Sequence, residues 1–123
     1  MSADYSKWLV VSDIDGTLNN KLRKLPKVNK AKIKEYVDNG GYFTLCSGRN
    51  LQSLTPHYKK LGIETPALFL NGAGIYDFKT NKMLSFTGVS EKAEEAVINC
   101  AELVKQAEVS VFTDNMIYHV KPK

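Results

Sequence analysis

No apolar run in the 123-residue chain approaches the roughly 18 residues that span a bilayer, and the opening stretch MSADYSKW lacks the apolar segment of a signal peptide. A membrane partner is not expected, and the expected location is the cytoplasm. Cysteine is also scarce. Cys46 and Cys100 each sit in an apolar stretch with no CxxC or Cys/His spacing around them. That pattern argues against a disulfide framework or a thiolate zinc site, and both are expected to be buried free thiols. Histidine occurs only as His57, expected on a helix surface, and His119, expected on a strand, neither in a catalytic role. Internal repeats and low-complexity segments are missing as well.

What is present is ordinary globular usage: hydrophobic residues make up 43% and charged residues 24%, enough for a packed core. The length allows one domain, or one domain and part of another. Lys and Arg number 17 against 13 Asp and Glu, for a net charge of +4. The balance is uneven, with 11 basic and 5 acidic groups in residues 1–60 and 6 against 8 in the remainder. Much of the excess lies in Lys21, Arg23, Lys24, Lys27, Lys30, Lys32 and Lys34. No aromatic interleaving or binding motif accompanies these charges, so they read as a solvated loop and helix face. Nucleic acid is not an expected partner, although the field would attract anionic substrates.

Trp8 to Ser12 (WLVVS) is a short apolar run ending at acidic residues, which predicts a strand buried on both faces of a parallel sheet. A basic loop follows, then a helix capped by Asn29 and stopped by Gly40-Gly41, with Ile33, Tyr36 and Val37 on its apolar side. Tyr42 to Cys46 is a second strand, a second helix runs to about Leu61 with Pro56 in its first turn, and Ala67 to Leu70 is a third buried strand. This alternation predicts an α/β fold with a parallel sheet, the first strand lying beside the second. Beyond Asn71-Gly72-Ala73-Gly74 the pattern changes. Ile75 to Phe78 and Met83 to Phe86 flank KTNK as a hairpin. Ser90 caps a helix whose Ala93, Val97, Cys100, Val104 and Ala107 form a stripe expected to pack as core. Val109 to Thr113 and Met116 to Val120 alternate around an Asp114-Asn115 turn. A boundary falls near residue 82, with parallel α/β before it and α+β after it.

Open α/β sheets bind ligands beyond the carboxyl ends of their strands. The residues there are Asp13 and Asp15, then Ser47-Gly48-Arg49, then Asn71-Gly72. Two carboxylates so close repel unless a cation or shared proton relieves them, and hard oxygen ligands favour Mg²⁺. Ser47 supplies a hydroxyl, and Gly48 with the helix N–H groups beyond it makes a phosphate cradle.

Asp13-Ile14-Asp15-Gly16-Thr17-Leu18, set behind an apolar strand, resembles the first motif of the haloacid dehalogenase (HAD) superfamily of phosphohydrolases. Ser47-Gly48-Arg49 is similar to its second motif, and Asn71-Gly72-Ala73 to the Cof-type branch, in which an α+β cap follows the third strand. The resemblance implies a Rossmann-like HAD core with a parallel sheet, its N-terminal half spanning residues 1–82, and the start of a C2-type cap in 83–123. It implies a Mg²⁺-dependent phosphatase acting on a small phosphorylated metabolite, a sugar phosphate or phosphorylated cofactor. Asp13 would be the nucleophile that becomes an aspartyl phosphate, and Asp15 the general acid and then base. Mg²⁺ would be held by Asp13, the Asp15 carbonyl and a later acidic residue. Thr17 and Ser47 would steady the nucleophile and phosphoryl oxygens, with Gly48, Arg49, Asn71 and Gly72 lining the phosphate and substrate side.

The chain departs from the family in its later part. The family also uses a Lys after the cap and an acidic pair at the fourth strand, whereas the only Asp after residue 82 is Asp114. The residues are therefore expected to be the front part of a longer enzyme, inactive alone and prone to self-association through an uncovered sheet edge. Two other readings compete: a receiver-like phosphoacceptor module and a non-catalytic binding protein. Receivers place the phosphoacceptor Asp at the end of a later strand, and neither the second nor the third strand ends in Asp here.

Overall fold

The computed structural model describes residues 4–104, 108–113 and 116–120. Strand β1 (Leu9–Ser12) pairs in parallel with β2 (Tyr42–Leu45), Leu9 opposite Tyr42 and Ser12 opposite Leu45. Helix α1 (Lys27–Asp38) makes the crossover between them. Helix α2 (Leu51–Leu61) leads to β3 (Ala67–Phe69), which meets the end of β2 through one parallel bridge, Cys46 to Leu68. Strand β3 then pairs antiparallel with β4 (Gly74–Asp77), and β4 with β5 (Lys82–Phe86). Helix α3 (Glu91–Leu103) and the antiparallel pair β6 (Val109–Phe112) and β7 (Ile117–Val120) follow. The fold is α/β, with the expected order of strand and helix and β1 beside β2.

The core gathers where β2, β3 and α2 meet. Ile14, Leu45, Leu54, Ala67 and Phe69 are fully buried, and Phe43, Tyr58, Leu61 and Ile63 pack around them. Polar groups in this layer are satisfied locally, as burial requires. The Thr44 hydroxyl donates to the Pro66 carbonyl at 2.6 Å, that of Tyr58 donates to the Thr65 carbonyl at 3.0 Å, and that of Thr65 donates to the Phe43 carbonyl. These bonds fasten β2 to the segment entering β3, and so fix the spacing of the strand ends that carry the site.

Several sequence expectations are corrected. Strand β1 is not buried: Leu9, Val10 and Val11 are 56%, 41% and 50% exposed. Its sequence has the apolar content of a central strand, but β2 is its one partner among the described residues. Asn29 does not cap α1. The helix starts three residues earlier, at Lys27 after Pro26, and the Asn29 Nδ2 donates to the Leu18 carbonyl at 3.0 Å, tying helix to loop. Pro56 lies in the second turn of α2, where its missing N–H leaves the exposed Gln52 carbonyl without a helical donor. Asn50 is the true cap, its Oδ1 accepting from the Ser53 N–H at 3.0 Å.

In α3, Ser90 caps as expected, but the apolar stripe is not core. Val97 and Val104 are about half exposed, Cys100 is exposed, Ala93 is half-buried, and the buried residue of the helix is Ala101. Helical periodicity identifies a face without supplying what covers it. Cys46 is also only half-buried. Ala107, the Asp114-Asn115 turn and the last residues lie outside the described residues.

Candidate active site

The chain leaves β1 in one wide turn, Ile14–Leu18, closed by the Asn19 N–H donating to the Ile14 carbonyl at 2.9 Å, with Asp15 and Gly16 outside helical backbone geometry. Ile14 and Leu18 point into the core, which turns Asp13, Asp15, Gly16 and Thr17 to the outside. Gly16 has φ +85, a left-handed conformation that a side chain disfavours, and it lets the chain reverse directly after Asp15. Alternation of an inward Ile with outward Asp residues thus puts two carboxylates on the same open end.

Backbone hydrogen bonds stitch the next strand ends to this one. The Cys46 N–H donates to the Ser12 carbonyl at 2.9 Å, that of Ser47 to Leu68 at 3.2 Å, and that of Asn71 back to Ser47 at 2.9 Å. The Leu70 N–H donates to the Arg49 carbonyl at 3.0 Å. Leu70 and Asn71 both adopt positive φ, so the turn after β3 is bent back over Ser47 and Arg49. A Cβ on Gly48 would lie 3.1 Å from the Asn71 Oδ1, so the close approach of the two strand ends uses the absent side chain.

Across this gathering Arg49 clasps Asp15 with both arms: Nε donates to Oδ2 at 2.9 Å and Nη2 to Oδ1 at 3.0 Å. The hydrogen bonds from Arg49 hold the Asp15 carboxyl below the usual carboxylate range, with burial opposing them and the charges of Arg49, His57 and Arg23 assisting. The Arg49 guanidinium is correspondingly pushed up, chiefly by Asp15. Asp13 differs. Its side chain is exposed, and its carboxylate forms no hydrogen bond or salt bridge among the described residues, while Ser12 Oγ donates to its carbonyl at 2.8 Å. Two carboxylates two positions apart thus have different surroundings, one held by a cation and one open.

Ser47 is buried, with its Oγ accepting from the Arg49 N–H at 3.3 Å, and Thr17 is exposed beside Asp15 in the chain. Asn71 and Gly72 sit exposed on the adjoining turn. His57 on α2 is half-buried. Burial, then the nearby charges of Arg49 and Lys60, lower its pKa, which places it electrostatically close to the site. His119 on β7 faces the Ser110 hydroxyl at 3.1 Å.

The donors suit Mg²⁺ in type but are few. Asp13 offers an open carboxylate and Asp15 a backbone carbonyl, both hard oxygens, and Mg²⁺ completes its shell with water and substrate oxygen. Among the described residues, no group of three or more His, Cys, Asp or Glu could hold a metal. A cleft of about 770 Å³ opens beside Asp15, lined also by Gly16, Asn19, Asn20, Lys21, Arg23 and Arg49. Asn19, Asn20, Lys21 and Arg23 were not expected at the site. The Lys21 and Arg23 charges read as part of a solvated basic face, and the one sequence signal was Asn19-Asn20 shortly after the Asp-x-Asp-Gly turn, with Thr17 and Leu18 between.

A sequence profile for haloacid dehalogenase-like hydrolases matches residues 10–123. The 5-amino-6-(5-phospho-D-ribitylamino)uracil phosphatase of Bacillus subtilis is 31% identical over 106 residues, covering 86% of this chain and 36% of that protein. The pyridoxal phosphate phosphatase of Escherichia coli is 26% identical over 76 residues, covering 62% and 28%. Among solved structures, a haloacid dehalogenase-like hydrolase from Bacillus subtilis superposes with a TM-score of 0.77 at 24% identity, covering 89% of this chain and 38% of that one. At that identity the superposition speaks for the fold. The chain spans about two fifths or less of the length of the curated relatives it matches. Among the described residues, no helix is long and apolar enough to cross a membrane. The profile match covers nearly the whole chain and includes the three strand ends built above, and so the chain belongs to the haloacid dehalogenase-like hydrolases.

Proposed function

We propose that the protein is a Mg²⁺-dependent phosphatase of small phosphorylated metabolites, with Asp13 as nucleophile and Asp15 as proton carrier. The observation that carries this reading is the contrast between the two carboxylates: Asp13 is open and exposed, while Asp15 is oriented by Arg49 from the neighbouring strand end. An Asp13 oxygen attacks the phosphorus, the ester P–O bond breaks, and the departing oxygen takes a proton from the Asp15 carboxyl. Asp15 then takes a proton from water as the water oxygen attacks phosphorus and the bond to Asp13 breaks. Mg²⁺ on the Asp13 carboxylate and the Asp15 carbonyl would neutralise charge on the phosphoryl oxygens.

Arg49 has two duties in this scheme. While it holds Asp15, the carboxyl stays ionised, as the water-activating step requires. A phosphate dianion that draws the guanidinium away lets Asp15 take up the proton that the leaving group needs. Thr17, Ser47, Gly48, Asn71 and Gly72 supply the surrounding cradle. The relatives' substrates support a phosphorylated metabolite, a sugar phosphate or phosphorylated cofactor, as the class. Residues 83–123 are assigned to the start of an α+β cap over a core ending near residue 82, and the exposed β1 edge to self-association. Sedimentation showing only monomer at high concentration would remove that last assignment.

The test is hydrolysis of a panel of phosphate esters by the full-length product of the gene encoding this chain. Turnover should require Mg²⁺ and vanish in Asp13→Asn. Turnover that persists in chelator, or in Asp13→Asn, rejects the proposal.

A further inference from the structure

We propose that the cleft beside Asp15 is a subsite for a second anionic group, carried on the alcohol portion of the substrate, with Lys21 and Arg23 as its cations. The inference rests on the phosphatase reading in one respect: Asp15 serves the leaving group, so what lies next to Asp15 in the cleft is the alcohol and not the transferred phosphoryl group.

The charges in the cleft do not balance. Asp15 is matched by Arg49, and neither Lys21 nor Arg23 forms a salt bridge among the described residues. The turn that presents them is built, not loose. Asn20 Oδ1 accepts from the N–H groups of Leu22 and Lys24 at 3.0 Å each. The Asn20 N–H donates to the Lys24 carbonyl and the Arg23 N–H to the Asn20 carbonyl, both at 2.9 Å. Arg23 itself has φ +55, a conformation uncommon for a residue with a long side chain and one that gathers at ligand sites.

A separate observation points the same way. Asn19 lines the cleft at 7% exposure, and its buried Nδ2 has no hydrogen-bond partner among the described residues. Buried donors are rarely left so, and a small shift of the amide toward an anionic oxygen in the cleft would satisfy it. An amide with an unsatisfied donor and two cations without salt bridges, all lining the cleft beside Asp15, suit a carboxylate or a second phosphate on the leaving alcohol.

The test compares propyl phosphate with its analogue bearing a terminal carboxylate, by calorimetric binding to the full-length gene product at fixed ionic strength. The carboxylate ester should bind about tenfold tighter, as one charge-assisted contact would give. In the double variant Lys21→Gln/Arg23→Gln the preference should fall to about one, with propyl phosphate affinity unchanged. Equal binding of the two esters, no binding of the carboxylate ester, or a preference that survives the double variant overturns the subsite. An oligonucleotide whose affinity rises with length and is lost in the same variant would assign the charges to nucleic acid and also overturn it. Failure of the phosphatase reading looks different: neither ester is hydrolysed, while the binding preference remains.

Discussion

Replacing Arg49 by Gln separates the orienting ion pair from the rest of the site. The Asp15 carboxyl is held low chiefly by the Arg49 hydrogen bonds, so in Arg49→Gln it should titrate at higher pH, nearer its ordinary 3.8. A depressed carboxylate pKa contributes stability above the unfolded value, and that contribution is lost as pH falls below 3.8 through the folded value. The partners are 28% and 47% exposed, so solvent screening keeps the pair to about 0.2–1 kcal/mol despite its bidentate geometry. For a chain of this size that corresponds to about 1–4 °C in Tm. Carboxyl-carbon NMR titration of Asp15, with thermal unfolding near neutrality and near pH 2, measures both quantities. The Tm difference between wild type and Arg49→Gln should be present near neutrality and absent in acid. An Asp15 that titrates at the same or lower pH in the variant, or a Tm difference that persists fully in acid, refutes the assignment of Arg49 as the group controlling Asp15.

Asp15→Asn should retain binding of inorganic phosphate with Mg²⁺ but lose about 10²- to 10⁴-fold in turnover, with the loss smallest for esters of acidic alcohols, which steady-state kinetics across leaving groups will show. Burial, with Asp77 and Glu64 nearby, pushes the Tyr58 phenol up to about 12 from 10.0. The folded state therefore keeps a proton that the unfolded chain releases, and stability should fall as pH rises from about 10 to about 12. Tyr58→Phe should abolish that alkaline slope and lower stability at neutral pH by about 0.5–1.5 kcal/mol, because the Thr65 carbonyl loses its donor. Urea unfolding at a series of pH values measures both effects.

The strand ends were legible because each apolar run stops abruptly at residues that suit turns: Asp13 to Gly16, Ser47-Gly48 and Asn71-Gly72. The pairing of β1 with β2 followed from the helix between them, since a parallel pair needs a crossover. Coverage was not legible. WLVVS and the α3 stripe carry the apolar residues of buried elements, yet Trp8 is 67% and Val104 56% exposed. Periodicity encodes which residues share a face, whereas burial depends on a neighbour that the same segment does not contain. Local chemistry was also ambiguous at Asn29, whose side chain could cap its own helix or reach the Leu18 carbonyl, and took the second course.

Within the site, the sequence showed which residues stand at the strand ends but not how they divide. Asp15 and Arg49 are 34 positions apart, and only the crossover through α1 and β2 brings them to a bidentate contact. Lys21 and Arg23 looked like their neighbours Lys24 and Lys27 in a run of surface charge. What distinguishes them is the turn closed by Asn20, which sets them on the cleft beside Asp15.

The distinction between an open Asp13 and a clasped Asp15 is tested most directly by trapping the phosphoryl group. The full-length gene product is mixed with a phosphate ester and Mg²⁺, quenched in acid during turnover, reduced with borohydride and digested for mass spectrometry. The expected result is reductive modification at Asp13, the residue whose carboxylate forms no hydrogen bond or salt bridge among the described residues, and none at Asp15. Modification at Asp15, or turnover with no trapped species while Asp13→Asn remains active, would contradict the account.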